Sequence, residues 1–173
     1  MTGQVIPDSY WVLPGLLLAG EYPGAPTEAE AREKLRGLLD AGVRVFIDLT
    51  EVGEYGLRPY WPLVQMLAAE RGLVVAHKRL SIPDMGTAEP AHMRAILDEI
   101  DRQVAERQPV YVHCFGGIGR TGTVVGCYLV RHGAAGRAAL AEIAQRRQGT
   151  PGGYRQSPET EDQCRLVLTW REE

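Results

Sequence analysis

The sequence predicts a single α/β domain, a central and mostly parallel β-sheet with helices on both faces. Three observations carry this. At 173 residues, 45% of them apolar, the chain can bury one good core and is too short for two full domains. Short apolar runs alternate with longer stretches of helical periodicity, the pattern of strands joined through crossover helices. No internal repeat, low-complexity tract or Pro/Ser-rich linker divides the chain, so residues 1–173 read as one domain.

Taken in order, "YWVLPGLLLAGEYP" reads as two short strands turning at Pro14-Gly15. "TEAEAREKLRGLLDAG" is a helix, with Thr27 and Glu30 spaced as a capping box and Gly42 near its end. "VRVFIDLT" reads as a buried strand, and "YWPLVQMLAAERG" after a loop rich in Gly and Pro is a second helix. "LVVAHKRLSI" is expected to be a second interior strand. The next helix, "PAHMRAILDEIDRQVAERQ", places Met93, Ile96, Leu97, Ile100 and Val104 on one face. "PVYVHC" follows as a third interior strand, then a helix from about Arg120 to near Gly133. "GRAALAEIAQRRQ" and "SPETEDQCRLVLTW" supply two more helices, the last with Ser157 as N-cap and Pro158 at its first position.

The stretch "VYVHCFGGIGRTG" ends a strand on Cys114 and opens a helix at Arg120. Open α/β sheets place ligands outside the carboxyl ends of their strands, and Cys114 is at such an end. Between the two residues lie Phe115, Gly116, Gly117, Ile118 and Gly119, a composition that allows a tight loop with its backbone N–H groups turned inward. The N-terminus of the following helix aims its dipole and unpaired N–H groups at the same point, making an oxyanion cradle. Arg120 adds a planar charged fork for two phosphoryl oxygens. Such positive surroundings favour an anionic, nucleophilic sulfur at Cys114. The chemistry that needs one in a dianion cradle is displacement on phosphorus through a phosphocysteine. Thr121 is placed to donate its hydroxyl to the sulfur as it leaves, and His113 to hold the loop by hydrogen bonding.

"HCFGGIGRTG" resembles the His-Cys-x5-Arg-Thr-Gly motif of the cysteine-dependent protein tyrosine phosphatase superfamily, and the chain's size is similar to that of its compact dual-specificity branch. The resemblance implies a phosphotyrosine protein phosphatase-like fold and two further parts. One is a general acid on a loop upstream of the cysteine, for which "SIPDMGTAEP" supplies Asp84; Asp48, Glu51 and Glu54 in "DLTEVGE" compete, or wall the cleft instead. The other orients the hydrolytic water, and Gln163 in "SPETEDQ" occupies the matching position. It also implies a phosphorylated protein or peptide as substrate, without metal or cofactor. Phosphotyrosine is favoured because Phe115 and Ile118 suit an aryl ester and no lysine stands between Cys114 and Arg120. The alternatives are a phosphate-recognising module without turnover and a phosphatase of a non-protein substrate such as a phosphoinositide.

Composition limits the partners. A net charge of −3 gives no global attraction to nucleic acid or an anionic membrane. Arg131, Arg137, Arg146, Arg147 and Arg155, against the single acid Glu142, could form one local positive rim. Three cysteines, Cys114, Cys127 and Cys164, make neither a disulfide framework nor a C-x-x-C metal site, and no segment approaches the ~18 apolar residues of a membrane span. A cytoplasmic monomer is expected. Tyr10, Trp11, Tyr55, Tyr60 and Trp61 carry no assigned role.

Overall fold

The computed structural model describes residues 4–172. Its five strands are β1 (Ser9–Leu13), β2 (Leu17–Gly20), β3 (Val45–Asp48), β4 (Ala76–Arg79) and β5 (Val110–His113). They form one sheet in the order β1-β2-β5-β3-β4, with only β1 antiparallel to its neighbour. The helices are α1 (Glu28–Asp40), α2 (Trp61–Glu70), α3 (Pro90–Ala105), α4 (Arg120–Arg131), α5 (Gly136–Arg146) and α6 (Glu161–Thr169). This is the predicted α/β class.

The strands alternate their side chains between two cores, as the period of two requires. Leu17, Ala19, Val45, Ile47, Val110 and Val112 face the side covered by α3, α4, α5 and α6. Leu18, Phe46 and Tyr111 face α1 and α2, where they meet Leu35, Leu38, Val64 and Leu67. A strand buried on both faces reads as a continuous apolar run, and "VFI" of β3 and "VYV" of β5 do so. On α3 the buried face is Met93, Ile96, Leu97 and Ile100 as predicted, with Gln103 buried and Val104 only partly so.

Two expectations are corrected. The strand expected to be interior, β4, is the edge of the sheet and only half-buried. Its residues explain this: "AHKR" carries the charges that an edge tolerates and an interior strand does not. The last helix begins at Glu161, not Ser157, because Thr160 is its N-cap in a full capping box with Gln163. Ser157 is occupied elsewhere, its hydroxyl donating to the carbonyl of Ile118 at 2.6 Å. At α1 only half of the expected box forms: Thr27 Oγ1 accepts from the N–H of Glu30.

The sheet's register sets the site. Gly20, His113, Asp48 and Arg79 stand side by side as the last residues of β2, β5, β3 and β4. With β5 central, the loop after His113 is walled by the loops after β2 and β3. Among the described residues no helix is long and apolar enough to cross a membrane.

Candidate active site

Cys114 lies at the carboxyl end of β5, 3% exposed, on the floor of a cavity of about 190 Å³. Arg120, Asp84, Tyr55, Phe115, Ile118 and Glu159 also line it. The loop from Phe115 to Gly119 leads straight into α4, whose N-cap is Gly119. Two of its three glycines are required, for different reasons. Gly117 has φ +74°, and a Cβ there would fall 2.4 Å from the backbone of Gly20, so the loop is docked main chain to main chain on β2. At Gly119 a Cβ would press on the Gln163 amide at 3.0 Å. Gly116 is open to within 3.9 Å of Ile118 and carries neither demand. The loop is further tied by Tyr22 N–H donating to the carbonyl of Phe115 at 2.9 Å.

His113 anchors the loop from below. Its Nδ1 is 3.1 Å from the carbonyl of Cys114, and its Nε2 is 2.6 Å from the Tyr60 hydroxyl. A carbonyl only accepts, so Nδ1 carries the hydrogen and Nε2 accepts from Tyr60. Complete burial pushes the imidazole down to about 4, which keeps it neutral in this role. Asp48, next in register, lies beneath the site: Oδ1 accepts from the N–H and hydroxyl of Thr50, and Oδ2 pairs with His77 at 3.1 Å. Burial would raise its carboxyl, but the hydrogen bonds from His77 and Thr50 outweigh it and hold it well below the usual carboxylate range. Asp48 is thus a buried structural anion and does not line the Cys114 cavity.

Arg120 is almost entirely buried and its donors are divided between two edges. Nη1 donates to Glu54 Oε1 at 2.7 Å and to the carbonyls of Ile82 at 2.9 Å and Leu49 at 3.3 Å. Nη2 donates to Glu54 Oε2 at 2.7 Å and stands 3.1 Å from Asp84 Oδ1. Nε has no partner among the described residues. One edge is thus committed to Glu54, while the Nε–Nη2 edge, engaged only by Asp84, is the one an incoming phosphoryl group can take.

Asp84 follows β4 in a turn that closes with Gly86 N–H on the carbonyl of Pro83 at 2.8 Å. Its carboxylate accepts from the Tyr55 hydroxyl as well as pairing with Arg120. The turn is clasped by Gln163, whose Nε2 donates to the carbonyl of Gly86 at 3.0 Å while its Oε1 accepts from the N–H groups of Glu159 and Thr160. Gln163 is fully buried in this clasp. Thr121 is also fully buried, and its hydroxyl has no hydrogen-bond partner among the described residues.

Sequence reasoning missed Glu54 as the partner of Arg120 and Tyr55 as the partner of Asp84. Both belong to a short 3₁₀ turn, Glu54–Gly56, between β3 and α2. Tyr55 itself has φ 50°, between Gly53 and Gly56 also at positive φ. This conformation separates the two neighbours: Glu54 turns inward to Arg120, while Tyr55 remains 67% exposed with its ring 5.2 Å from that of Phe115. The glycines "VGEYG" were the available signal for such a turn.

The five arginines between 131 and 155 do not form one rim. Arg131 pairs with Asp98, Asp101 and Glu172, and Arg146 with Glu142. Arg147 is buried, donating to the carbonyls of Gly152 and Arg155. Of the five, only Arg155 lines the Cys114 cavity, where it pairs with Glu159. Among the described residues there is no cluster of His, Cys, Asp or Glu that could hold a metal ion.

The chain is similar in sequence or fold to several known proteins. Dual specificity protein phosphatase CDC14B of Mus musculus is 38% identical over 56 residues, a stretch that is 32% of this chain but only 11% of that protein. The crystal structure of a glycine-to-alanine mutant form of Tk-PTP superposes with a TM-score of 0.66 at 27% identity, over 93% of this chain and 92% of that one. Kinase associated phosphatase, crystallised with serine in place of its catalytic site cysteine, gives a TM-score of 0.68 at 17% identity, over 90% and 89%. Residues 7–167 match the family model described as PTP-SAK, Swiss Army Knife protein, DSP-PTPase phosphatase domain. With nearly the whole chain inside that match, the protein belongs to the PTP-SAK family of dual-specificity-type phosphatase domains.

Proposed function

We propose that residues 1–173 act as one metal-independent phosphomonoesterase domain, using Cys114 as nucleophile on a phosphorylated protein with phosphotyrosine preferred. The observation that carries this is the convergence of Cys114, Arg120 and Asp84 on one small cavity at the carboxyl end of the central strand. The phosphoryl group enters the loop 115–119, and its oxygens take the Nε–Nη2 edge of Arg120 in place of Asp84. Released from Arg120, Asp84 enters the substrate complex carrying a proton taken from solvent; the Cys114 thiolate attacks phosphorus in line with the ester oxygen, the P–O bond breaks, and Asp84 gives that proton to the departing oxygen. In the second step Asp84 takes a proton from water as the water attacks the phosphocysteine. The Thr121 hydroxyl donates to the leaving sulfur, and inorganic phosphate departs.

The free hydroxyl of Thr121, buried beside this loop, supports its part. Gln163 stands behind Gly119 rather than in the cavity, and it takes the role of orienting the water only when its clasp on the carbonyl of Gly86 is released. Tyr55 and Phe115 give the mouth an aromatic wall suited to an aryl ester.

The test is hydrolysis of para-nitrophenyl phosphate under reducing conditions with chelator, from pH 4 to 8. Cys114→Ser should abolish turnover, and Asp84→Asn should reduce it and remove the basic limb of the pH profile. Full turnover by Cys114→Ser would refute the mechanism. Phosphopeptide binding without turnover by the unmodified protein would make it a recognition module instead. A set of phosphotyrosine, phosphoserine and phosphoinositide substrates then fixes the class.

A further inference from the structure

A second and much larger cleft, about 760 Å³, adjoins the Cys114 cavity. Tyr55, Phe115, Gly116, Ile118 and Arg155 line both, so the Tyr55–Phe115 ring pair stands at the boundary between them. The smaller cavity, about 190 Å³, has room for a phosphoryl group and part of the ring that bears it but not for a neighbouring residue. The larger falls within the roughly 300–1,000 Å³ typical of ligand clefts. Its far side is formed by Tyr22, Leu57, Pro26, Pro151 and Tyr154.

The charges in this cleft are mostly already engaged. Lys34 pairs with Glu21 at 3.1 Å and donates to the carbonyls of Tyr22 and Gly24. Asp8 accepts from the N–H of Gly152 at 2.7 Å, and Arg155 pairs with Glu159. Arg58, exposed at the rim, donates to the carbonyl of Pro26 at 2.9 Å and has no carboxylate partner among the described residues. What remains to meet a ligand is therefore chiefly aromatic and aliphatic. The three aromatic side chains that are largely exposed among the described residues, Tyr154 at 87%, Tyr55 at 67% and Phe115 at 48%, all line this one cleft. Exposed aromatics gathered around a concavity are a mark of a recognition surface, since each offers large apolar area at low entropic cost.

We infer that this cleft is a substrate subsite that takes an apolar side chain, leucine or phenylalanine in kind, flanking the phosphorylated residue of a peptide. The inference rests on the phosphatase reading above and adds a sequence preference to it. With the phosphoryl group in the Cys114 loop, the chain that bears it must pass the Tyr55–Phe115 boundary. The adjoining volume is then open to a neighbouring residue. The charged alternatives fare worse: a buried lysine would meet apolar walls and carboxylates already engaged, and the one cation without a carboxylate partner, Arg58, is exposed at the rim, where an ion pair with aspartate gains little.

The experiment uses the full chain and phosphotyrosine nonapeptides carrying Leu, Phe, Asp or Lys singly at each of the three positions on either side. At one position Leu or Phe should raise kcat/KM by about tenfold over Asp and Lys, the scale of selectivity an apolar pocket supplies. Tyr154→Ala and, separately, Leu57→Asp should largely remove that preference when each variant is referred to its own rate on para-nitrophenyl phosphate. Turnover of para-nitrophenyl phosphate with no flanking preference, a preference for charge, or a preference that survives both substitutions overturns the subsite and leaves the phosphatase reading standing. Titration calorimetry of the same peptides with the Cys114→Ser protein separates the converse case. An apolar preference in binding, with no turnover by the unmodified protein, upholds the subsite and overturns the phosphatase reading.

Discussion

Glu54 grips Arg120 with both carboxylate oxygens, each 2.7 Å from a different terminal nitrogen of the guanidinium, and both side chains are buried. A fork held on one edge can rotate little, so its other edge is presented to the cavity in a fixed orientation. Glu54→Ala should weaken inhibition by vanadate at least about tenfold and destabilise the fold by on the order of 3 kcal/mol, the cost of leaving a buried charge without its partner. Vanadate inhibition and urea denaturation check the two arms. Unchanged inhibition would show that Arg120 needs no such brace.

Tyr55 donates to the Asp84 carboxylate, and that hydrogen bond together with the aspartate's charge pushes the phenol's ionisation above its ordinary value. The sign follows directly: a nearby negative charge that accepts the phenolic hydrogen disfavours the phenolate. Asp84→Asn removes the charge, so one tyrosine should ionise at lower pH in that variant than in the unmodified protein. Difference absorbance near the tyrosinate band follows it, and superimposable titrations would mean the contact does not persist in solution.

Thr121 offers a separation of stability from catalysis. Its hydroxyl is buried without a partner, a group that costs free energy in the resting protein. Thr121→Val keeps the shape and removes the orphan. The fold should be as stable as before or up to about 1 kcal/mol more so. Release of phosphate from the enzyme should slow by roughly a hundred- to a thousandfold, the scale of losing one donor to a developing charge. Thermal unfolding and rapid-quench burst kinetics measure these independently.

The imidazole of His113 is pushed down to about 4 by burial, against an ordinary 6.5. The unfolded chain therefore binds a proton there between about pH 6.5 and 4 that the folded chain refuses, and stability must fall as pH falls through that window. Between pH 7 and 4.5 the loss from this one group is about 2 kcal/mol. Asp48, held low in the fold, adds its own loss as pH drops below its ordinary 3.8. Chemical denaturation at pH 7, 5.5 and 4.5 should show the decline, and His113→Gln should flatten its upper part.

The sequence was most informative where the chemistry is contiguous. Cys114 to Thr121 is one strand end, one loop and one helix start, so its geometry follows from local rules. Asp84 is singled out through the family resemblance, which expects an acid in such a proline-bounded loop after a strand. Glu54 and Tyr55 could not be placed, because their partners are 66 and 29 residues away and the pairing depends on the turn at Tyr55. Competing carboxylates were divided by register: Asp48 ends its strand inside the sheet's buried row, whereas Glu54 lies six residues further on, past the turn of the chain. The arginines from 131 to 155 misled because a cluster in sequence is distributed over two helices and the loop that follows them, where Arg131, Arg146 and Arg155 each meet acids of their own and Arg147 turns inward to backbone carbonyls. At Thr160 the pattern Thr-x-x-Gln was present in "TEDQ", but the Ser-Pro three residues earlier offered a competing start.

The cysteine loop is fastened from both ends of the chain: Gly117 lies against the backbone of Gly20, while Ser157 and Gln163 hold its far side through Ile118 and Gly119. Neither clamp is local, since one closes a span of nearly a hundred residues and the other about forty. Contacts of that range form after helices and hairpins have condensed, because the entropy of closing the intervening chain must first be met. A nascent chain that has not yet delivered α6 lacks half of the clasp. Hydrolysis by this protein is therefore a readout of completed folding, and the time course of activity during refolding should lag the recovery of helical signal.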